Sequence, residues 1–349
     1  VQAAATFGAS ESNPALLDVV GTVLMGQAPE VVTGSEQAAR IPTGGELPHG
    51  ADSVVMLEHA DILDERTIEA FRSVAPGQNV IAPDEDYAKG CVVAAAGRRL
   101  RPQDTGVLAA FGCTQVNVHR RPKVAIVSTG DEIVPVTAHP GPGQIRDVNS
   151  FTLAGLVAAA GARPIPLGIV RDDFNALRSV AARALEGCDM ILISGGSSVG
   201  ARDFTVEVIS SFKEAEILAH GISISPGKPT ILARVQDRSF WGLPGHVVSA
   251  MIVFARIVRP FLLHLGGIRA PLEQELRLPA RLNRNVASAP GRTDFIRVRV
   301  VRDAEGFRAE PVLGKSGLLN TMVKGDGVIE IGRDVEGLDA GAPVEVILF

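Results

Sequence analysis

The length, composition and charge of the chain limit what it can be. Its 349 residues suffice for about two or three domains, and 46% hydrophobic with 21% charged residues excludes a disordered or fibrous protein. The formal net charge is −5, because 34 Lys and Arg stand against 39 Asp and Glu, so the basic surplus typical of a nucleic-acid-binding protein is missing.

The cysteines and the start of the chain bear on the cellular compartment. Cys91, Cys113 and Cys188 match neither zinc-site spacing nor a disulfide framework, so we interpret them as reduced thiols. We find no leader peptide after Val1 and no apolar run of the roughly 18 residues that a membrane span needs. We therefore expect a cytoplasmic protein that binds no membrane. Because no initiator Met is present, we also expect the chain to be trimmed at its N-terminus.

The pattern of apolar residues divides the chain into three regions. Residues 1–118 contain short apolar runs broken by Gly and Pro, which predicts an irregular, mainly β N-terminal region. Residues 122–266 alternate strand-like and helix-like segments, which predicts a doubly wound parallel α/β sheet. Residues 276–349 return to short β runs and predict a small β-barrel-like domain. The predicted fold class is therefore multidomain α/β plus β, with the α/β sheet in the centre.

Strands and helices alternate in the central region. The predicted strands are residues 123–128, 164–170, 190–194 and 240–243. The predicted helices are residues 150–161, 173–186, 203–212 and 246–265. Loops after the carboxyl ends of parallel strands meet at one edge of a sheet, where ligands of such folds bind. We therefore looked for candidate functional residues in these loops.

Two of the loops combine hydroxyl, glycine and carboxylate groups. Residues 128–132 (STGDE) place two carboxylates just past the first strand, although a plain strand-ending turn is the alternative. Residues 194–200 (SGGSSVG) lack the P-loop pattern, but their glycines would let backbone amides form a nest for an anion. Just beyond them, Arg202 suits a phosphate, and Asp203 either binds a metal or merely caps the next helix.

Two further loops add another carboxylate and a cation. After Val170, one of Asp172 and Asp173 can cap the next helix, which leaves the other available for Mg²⁺. Residues 225–229 (SPGKP) and 242–246 (GLPGH) form rigid turns that would present Lys228 and a helix N-terminus to one cleft. Together, the loops predict a site for a phosphorylated ligand with a divalent cation.

At these motifs the sequence resembles the molybdopterin molybdenumtransferases, a family that includes bacterial MoeA and the E domain of gephyrin. The resemblance covers nearly the whole chain. Its strongest motifs are STGDE (128–132), GQIRDVN (143–149), GIVRDD (168–173), SGGSSVG (194–200), PGKP (226–229) and GLPG (242–245). Residues 40–44 and 50–55 resemble the family's N-terminal stretch. Gly291-Arg292 and Ser316-Gly317 resemble its C-terminal signatures.

The resemblance implies a reaction and partners. Family members take adenylylated molybdopterin, insert molybdate at its dithiolene, cleave the pyrophosphate with Mg²⁺ and release AMP with molybdenum cofactor. Their site lies between the α/β domain of one subunit and the N-terminal region of its partner, so the resemblance implies a homodimer. It also implies a molybdopterin adenylyltransferase as the donor of the adenylylated pterin.

The resemblance further implies roles for individual residues. The expected catalytic residues, which are also the expected metal ligands, are Glu132, Asp172 and Asp203. The residues expected to bind the oxyanion are Ser225, Arg292, Arg297 and Ser316, with Lys228 as a further cation. The residues expected to bind the pterin substrate are Thr129, Gly130, Asp147, Asn149, Ser194, Gly195, Gly196, Ser197, Ser198, Gly200, Lys228, Pro244 and Gly245, with Thr43 and Asp86 closing the site.

The chain departs from the family's usual pattern at several positions. The Ser-Ala-Met-Asp-Gly-Tyr run that commonly precedes the first matched segment is missing. Residues 80–86 keep acidic residues but lose an Arg, and Ser225 stands where a Lys is usual. The loss of two cations leaves two alternatives open: a tungstate-preferring insertase and a weak or inactive molybdopterin-binding or scaffold paralogue. A nucleotide-processing enzyme that shares only the α/β domain is a further alternative.

His246 replaces the Asn of a common Asn-Pro pair. It lies at a predicted helix start beside the cleft, where an imidazole could donate to an anion. A surface or capping histidine is the alternative.

Overall fold

The computed structural model describes residues 1–195 and 204–349. The chain forms two compact units, Val1–Val93 and Ala94–Phe349. The first unit contains a four-stranded sheet with the order β2-β1-β4-β3. Its strands are β1 (Ala15–Thr22), β2 (Gln37–Arg40), β3 (Ala60–Ile62) and β4 (Thr67–Ala70). Short 3-10 helices at Ala3–Thr6 and Leu57–His59 and long connections complete the irregular, mainly β region that the sequence predicts.

The second unit begins with a helix that the sequence pattern does not predict, α1 (Pro102–Ala110). Local residues nevertheless explain where this helix starts. Pro102 occupies its first turn, and the buried Asp104 accepts the Arg101 backbone N–H at 2.8 Å.

A six-stranded sheet forms the centre of the second unit, with the order β10-β12-β13-β9-β5-β8. The strands between residues 123 and 243 are β5 (Lys123–Thr129), β6 (Ile133–Val134), β7 (Ile145–Arg146), β8 (Arg163–Val170), β9 (Met190–Ser194), β10 (Ala215–His220), β11 (Ile224–Ser225), β12 (Ile231–Val235) and β13 (Arg238–Leu243). The four strands β8, β5, β9 and β13 run parallel, as predicted. Beyond β13, β12 pairs antiparallel with β13, and the edge strand β10 pairs antiparallel with β12; the sequence pattern predicts neither strand.

Helices cover both faces of this sheet. They are α2 (Asn149–Ala159), α3 (Phe174–Gly187), α4 (Phe204–Ser210) and α5 (Val247–Leu265). Side chains of α3 and α4, including Leu177 and Val208, pack on one face, and Leu153 of α2 and Phe254 of α5 pack on the other. The doubly wound arrangement is therefore confirmed.

The helix α5 joins the sheet to the C-terminal domain. Its 19 residues have a mean hydropathy of 1.7, long and apolar enough by these criteria to cross a membrane, which corrects the expectation that no segment reaches that length. Its apolar side chains have partners within the protein, however. Phe254 packs against the sheet, while Val248 and Ile252 pack with Phe295 and Val328 of the C-terminal domain.

The C-terminal domain is a closed five-stranded barrel. Its strands follow the cyclic order β16-β17-β14-β20-β18, and pairing of β18 with β16 closes the ring. The remaining elements are β14 (Arg277–Leu282), β15 (Val286–Ala287), β16 (Thr293–Asp303), β17 (Gly306–Pro311), β18 (Gly327–Ile331), β19 (Gly337–Leu338), β20 (Pro343–Leu348), the helix α6 (Asn320–Val323) and a 3-10 turn at Pro271–Gln274. The short strand β11 pairs in parallel with β16, and this pairing brings Ser225 beside Asp294.

Candidate functional site

A cavity of about 1010 Å³ lies between the carboxyl edge of the α/β sheet and the barrel. The charged or titratable side chains among its described lining residues are Glu132, Lys228, His246, Arg292 and Arg297. Of the sequence-predicted residues, Gly195, Ser225, Pro244, Gly245 and Ser316 also line it. Since cationic side chains outnumber the single carboxylate in this lining, the cavity suits an anionic ligand.

Two predicted carboxylates flank the end of β5. The Thr129 hydroxyl donates to Asp172 Oδ1 at 2.9 Å, because β5 and β8 pair in parallel and end side by side. Glu132 folds back over Gly130, so that a Cβ on Gly130 would lie 2.6 Å from Glu132 Oε2. Gly130 is buried at this turn. Glu132 thus follows β5 and Asp172 follows β8, and the two strand ends lie side by side.

Asp147 and Asn149 lie at the start of α2, and neither is among the described residues that line the cavity. Buried Asp147 accepts hydrogen bonds from the Ser128 hydroxyl at 2.8 Å and the Ser150 backbone N–H at 3.1 Å. Asn149 Nδ2 donates to Ser194 Oγ at 2.5 Å and to the Gly245 carbonyl at 2.8 Å. These bonds fix the ends of β5 and β9 relative to the turn after β13.

The Asn149 amide also leaves a polar atom unused. Its Oδ1 is buried and has no hydrogen-bond partner among the described residues.

Gly195 opens the predicted glycine-rich loop. Its φ is +117°, and a Cβ there would lie 1.9 Å from the Thr129 carbonyl oxygen, so only glycine fits. The other residues assigned to this loop and its end lie outside the described residues: Gly196, Ser197, Ser198, Gly200 and Asp203. Their assigned roles remain predictions.

Arg297 is the buried cation of the cavity. It is 7% exposed, and its Nη2 donates to the Gly314 carbonyl at 2.8 Å. Among the described residues, its Nε has no hydrogen-bond partner and no carboxylate pairs with its guanidinium. Burial lowers the pKa of this guanidinium, which nevertheless stays charged because arginine is not deprotonated in proteins.

Arg292 has a different environment from Arg297. Its side chain is 46% exposed, and its Nε lies 3.1 Å from Asp294 Oδ1. Burial alone would raise the pKa of Asp294, but hydrogen bonds from Ser288 and Ser225 and the charge of Arg292 outweigh it, so the pKa is lowered. Arg292 is thus a cation whose charge the protein already offsets in part.

Lys228 and His246 complete the cationic lining. Lys228 is exposed and follows Gly227, whose φ is +128° and whose Cβ would lie 2.5 Å from a Val253 methyl. His246 immediately precedes α5 but makes no side-chain capping bond. Its Nδ1 lies 2.8 Å from Ser316 Oγ instead, which the sequence pattern does not reveal.

No group of three or more His, Cys, Asp or Glu side chains that could hold a metal occurs among the described residues. Glu132 and Asp172 are only two of the three predicted ligands, and Asp203 is outside the described part of the chain. Thr43 and Asp86 are exposed residues of the first unit, and their assigned role in closing the site remains a prediction.

Some residues that shape the site were not assigned from the sequence. Ser150 helps to hold Asp147, and Ser288 donates to Asp294 at 2.7 Å. Ile222 and Ser223 line the cavity. These residues belong to no motif in the sequence, and only the pairing of distant segments brings them to the site.

Three family models match successive parts of the chain. Residues 1–112 match the MoeA N-terminal region (domain I and II), residues 125–264 match a probable molybdopterin binding domain, and residues 279–349 match the MoeA C-terminal region (domain IV). Matches on both sides of the α/β domain confirm the resemblance drawn from the motifs.

Curated relatives and solved structures agree with these matches. A putative molybdopterin biosynthesis protein of Methanocaldococcus jannaschii is 33% identical over 99% of this chain and 82% of its own length. A molybdopterin molybdenumtransferase of Haemophilus influenzae is 32% identical over 95% of this chain and 82% of its own. A crystal structure of the molybdopterin biosynthesis MoeA protein from Pyrococcus horikoshii has a TM-score of 0.81 at 30% identity and covers 100% of this chain and 85% of that one. The chain therefore belongs to the molybdopterin molybdenumtransferase family, a family of transferases in molybdenum cofactor biosynthesis.

Proposed function

We propose that this protein inserts molybdenum from molybdate into adenylylated molybdopterin and releases AMP and molybdenum cofactor. In this reaction the metal gains two bonds to the dithiolene sulfurs, and one displaced oxo ligand leaves as water with the two thiol protons. Water adds across the phosphoric anhydride, so the P–O–P bond breaks and AMP departs. Family membership supports the insertion, and the charges lining the cavity support its anionic substrates.

Arg297 is the observation that carries the proposal. A buried guanidinium with an unused Nε and no carboxylate partner among the described residues is costly in the free protein. An oxyanion in the cavity would satisfy both the charge and the free N–H. Lys228, Arg292 and Ser316 line the same cavity and would supply further donors, whereas the hydroxyl of Ser225, which also lines it, already donates to Asp294.

Magnesium is part of the proposed reaction. The carboxylate oxygens of Glu132 and Asp172 are hard donors of the kind that Mg²⁺ prefers, and both flank the end of β5. With Asp203, they would hold the ion. When bound, magnesium would offset the negative charge that builds up as the anhydride breaks.

The setting of the reaction is also part of the proposal. A homodimer would let the first unit of one subunit complete the site of its partner through Thr43 and Asp86. A molybdopterin adenylyltransferase would donate the substrate. We also place the protein in the cytoplasm, the compartment that the sequence predicts.

The test is AMP release from adenylylated molybdopterin with Mg²⁺, compared with molybdate, with tungstate and without an oxyanion. We expect oxyanion-dependent AMP release, and the more effective oxyanion identifies the natural substrate. Pterin binding without AMP release under all three conditions would refute the proposal in favour of a binding or scaffold protein.

A variant pair tests the assigned oxyanion site. Arg297→Met should reduce molybdate-dependent AMP release at limiting molybdate by about 100-fold, the effect of losing a buried charged hydrogen-bond donor. Arg299→Met is the matched control, because Arg299 lies exposed on the same strand, β16, and does not line the cavity. Equal activity of the two variants would refute the role of Arg297.

A further inference from the structure

The contact between His246 and Ser316 joins the two sides of the cavity. His246 immediately precedes α5, whereas Ser316 lies in the segment between β17 and α6. Besides the side-chain contact of 2.8 Å, the Val248 backbone N–H donates to the Ser316 carbonyl at 3.1 Å. Ser316 is thus held at a fixed place at the start of α5, with its hydroxyl beside an imidazole.

The direction of this hydrogen bond depends on the state of the imidazole. An unprotonated Nδ1 accepts the Ser316 hydroxyl proton, which leaves only lone pairs of Oγ for the cavity. A protonated Nδ1 donates to Oγ instead, and the hydroxyl proton is then free to point elsewhere. An oxyanion needs donors, so only the second arrangement lets Ser316 bind it.

We propose that His246 is a positioning residue: the neutral ring carries its proton on Nε2 and accepts the Ser316 proton at Nδ1, whereas the protonated ring donates from Nδ1 and directs the Ser316 hydroxyl toward the oxyanion. The protein should therefore bind the oxyanion more tightly below neutral pH than above it. This inference rests on the proposed function, since it concerns the same oxyanion site. As a class, imidazole side chains are the ones whose charge changes between about pH 5 and pH 8. His246 is the N-cap residue of α5 but makes no side-chain capping bond, so its imidazole is available for the contact with Ser316.

Other charged groups share the cavity and bear on the pH dependence. Lys228, Arg292 and Arg297 line it, and Lys315 adjoins Ser316 in the chain. Guanidinium and ammonium groups as classes titrate far above pH 8 and so cannot produce a change between pH 6 and 8. Glu132 is the acidic side chain among the described lining residues and requires a control of its own.

The test measures binding of molybdate alone to the whole protein by calorimetry between pH 6 and pH 8.5. The affinity of the wild type should fall about 10-fold over this range, the worth of one hydrogen bond to an ion. His246→Asn should vary less than about twofold, because an amide can donate to Ser316 at every pH. Ser316→Ala should lower affinity and remove the pH dependence, whereas Glu132→Gln and the exposed-histidine control His139→Asn should retain it.

The outcomes separate this inference from the proposed function. Full pH dependence in His246→Asn or Ser316→Ala would overturn the role of His246. If Arg297→Met meanwhile weakens molybdate binding, the oxyanion site stands without that role. If Arg297→Met binds molybdate as well as the wild type, the oxyanion site itself is refuted and this inference with it.

Discussion

Two buried charges in the second unit, Asp189 and Arg297, differ in their hydrogen-bond partners. Asp189 is 7% exposed at the amino end of β9 and is fully paired. Arg120 donates two hydrogen bonds of 2.6 Å to its oxygens, Arg238 donates one of 3.1 Å, and the Lys123 backbone N–H adds one of 2.8 Å. Arg297 is equally buried, but among the described residues its side chain makes one hydrogen bond, to the Gly314 carbonyl.

Under the proposed function, this difference separates a charge that stabilises the fold from a charge that binds a ligand. Burial of a charge must be offset by partners, whichever side of the sheet it occupies. Asp189 has its partners within the protein and lies away from the cavity, so its role ends with stability. Arg297 lacks a carboxylate partner among the described residues and faces a cavity, so the missing partner is expected from outside.

The largest effect should follow loss of the Asp189 carboxylate. Asp189→Asn should lower the free energy of unfolding by about 2 kcal/mol, because the two arginines and the Lys123 N–H lose an ionised acceptor. The loss should be smaller than for a fully buried ion pair, because the side chains of both arginines are partly exposed. Urea unfolding measures the difference. A loss below about 0.5 kcal/mol would place Asp189 among ordinary surface charges.

The opposite sign is expected for Arg297. Arg297→Met should raise the free energy of unfolding by about 1 kcal/mol, because an apolar side chain of similar length replaces a buried charge that lacks a counter-ion. The same urea experiment on Arg299→Met should show no such gain, since that side chain is exposed. Destabilisation of Arg297→Met would instead mean that Arg297 serves the fold.

The pH dependence of stability sharpens the contrast. Hydrogen bonds from Arg120 are the main cause of a lowered pKa of Asp189 in the folded protein, and they outweigh burial. Asp189 therefore stabilises the fold above the unfolded-state pKa of about 3.9, and this stabilisation is lost as the pH falls through the lower folded-state value. The stability gap between wild type and Asp189→Asn should narrow from pH 5 to pH 3. An unchanged gap would contradict the lowered pKa.

The smallest effect is expected for an exposed pair. Arg234 and Glu216 lie 2.7 Å apart on neighbouring strands, with side chains 62% and 54% exposed. Glu216→Gln should change the free energy of unfolding by less than about 0.5 kcal/mol, because water already solvates both groups. A larger loss of unfolding free energy would contradict the view that exposed charges contribute less to stability than buried ones.

Much of the site was predictable from the sequence because it follows strand ends. The residues 128–132, the Asp172 position and the turn at 242–246 each come directly after a parallel strand, so their convergence follows from the fold class. The antiparallel strands β12 and β10 escaped prediction, because runs of five and six residues resemble loops or short helix segments when read alone. Asp147, which the resemblance assigns to the pterin site, accepts the Ser150 N–H at the start of α2 and is not among the described residues that line the cavity, so its assigned role stays a prediction.

The sequence alone determined the α/β class, the carboxylates at the strand ends and, through ordered motifs, the family. These features depend on local periodicity and on short runs of residues, which the chain carries without reference to its folded state. Only the tertiary structure decided which charges are compensated. The pairing of β11 with β16 and the packing of α5 between sheet and barrel bring residues some seventy positions apart into contact, as with His246 and Ser316. Burial and hydrogen-bond partners arise from such distant contacts. The sequence alone therefore could not show that the buried guanidinium of Arg297 lacks a carboxylate partner among the described residues.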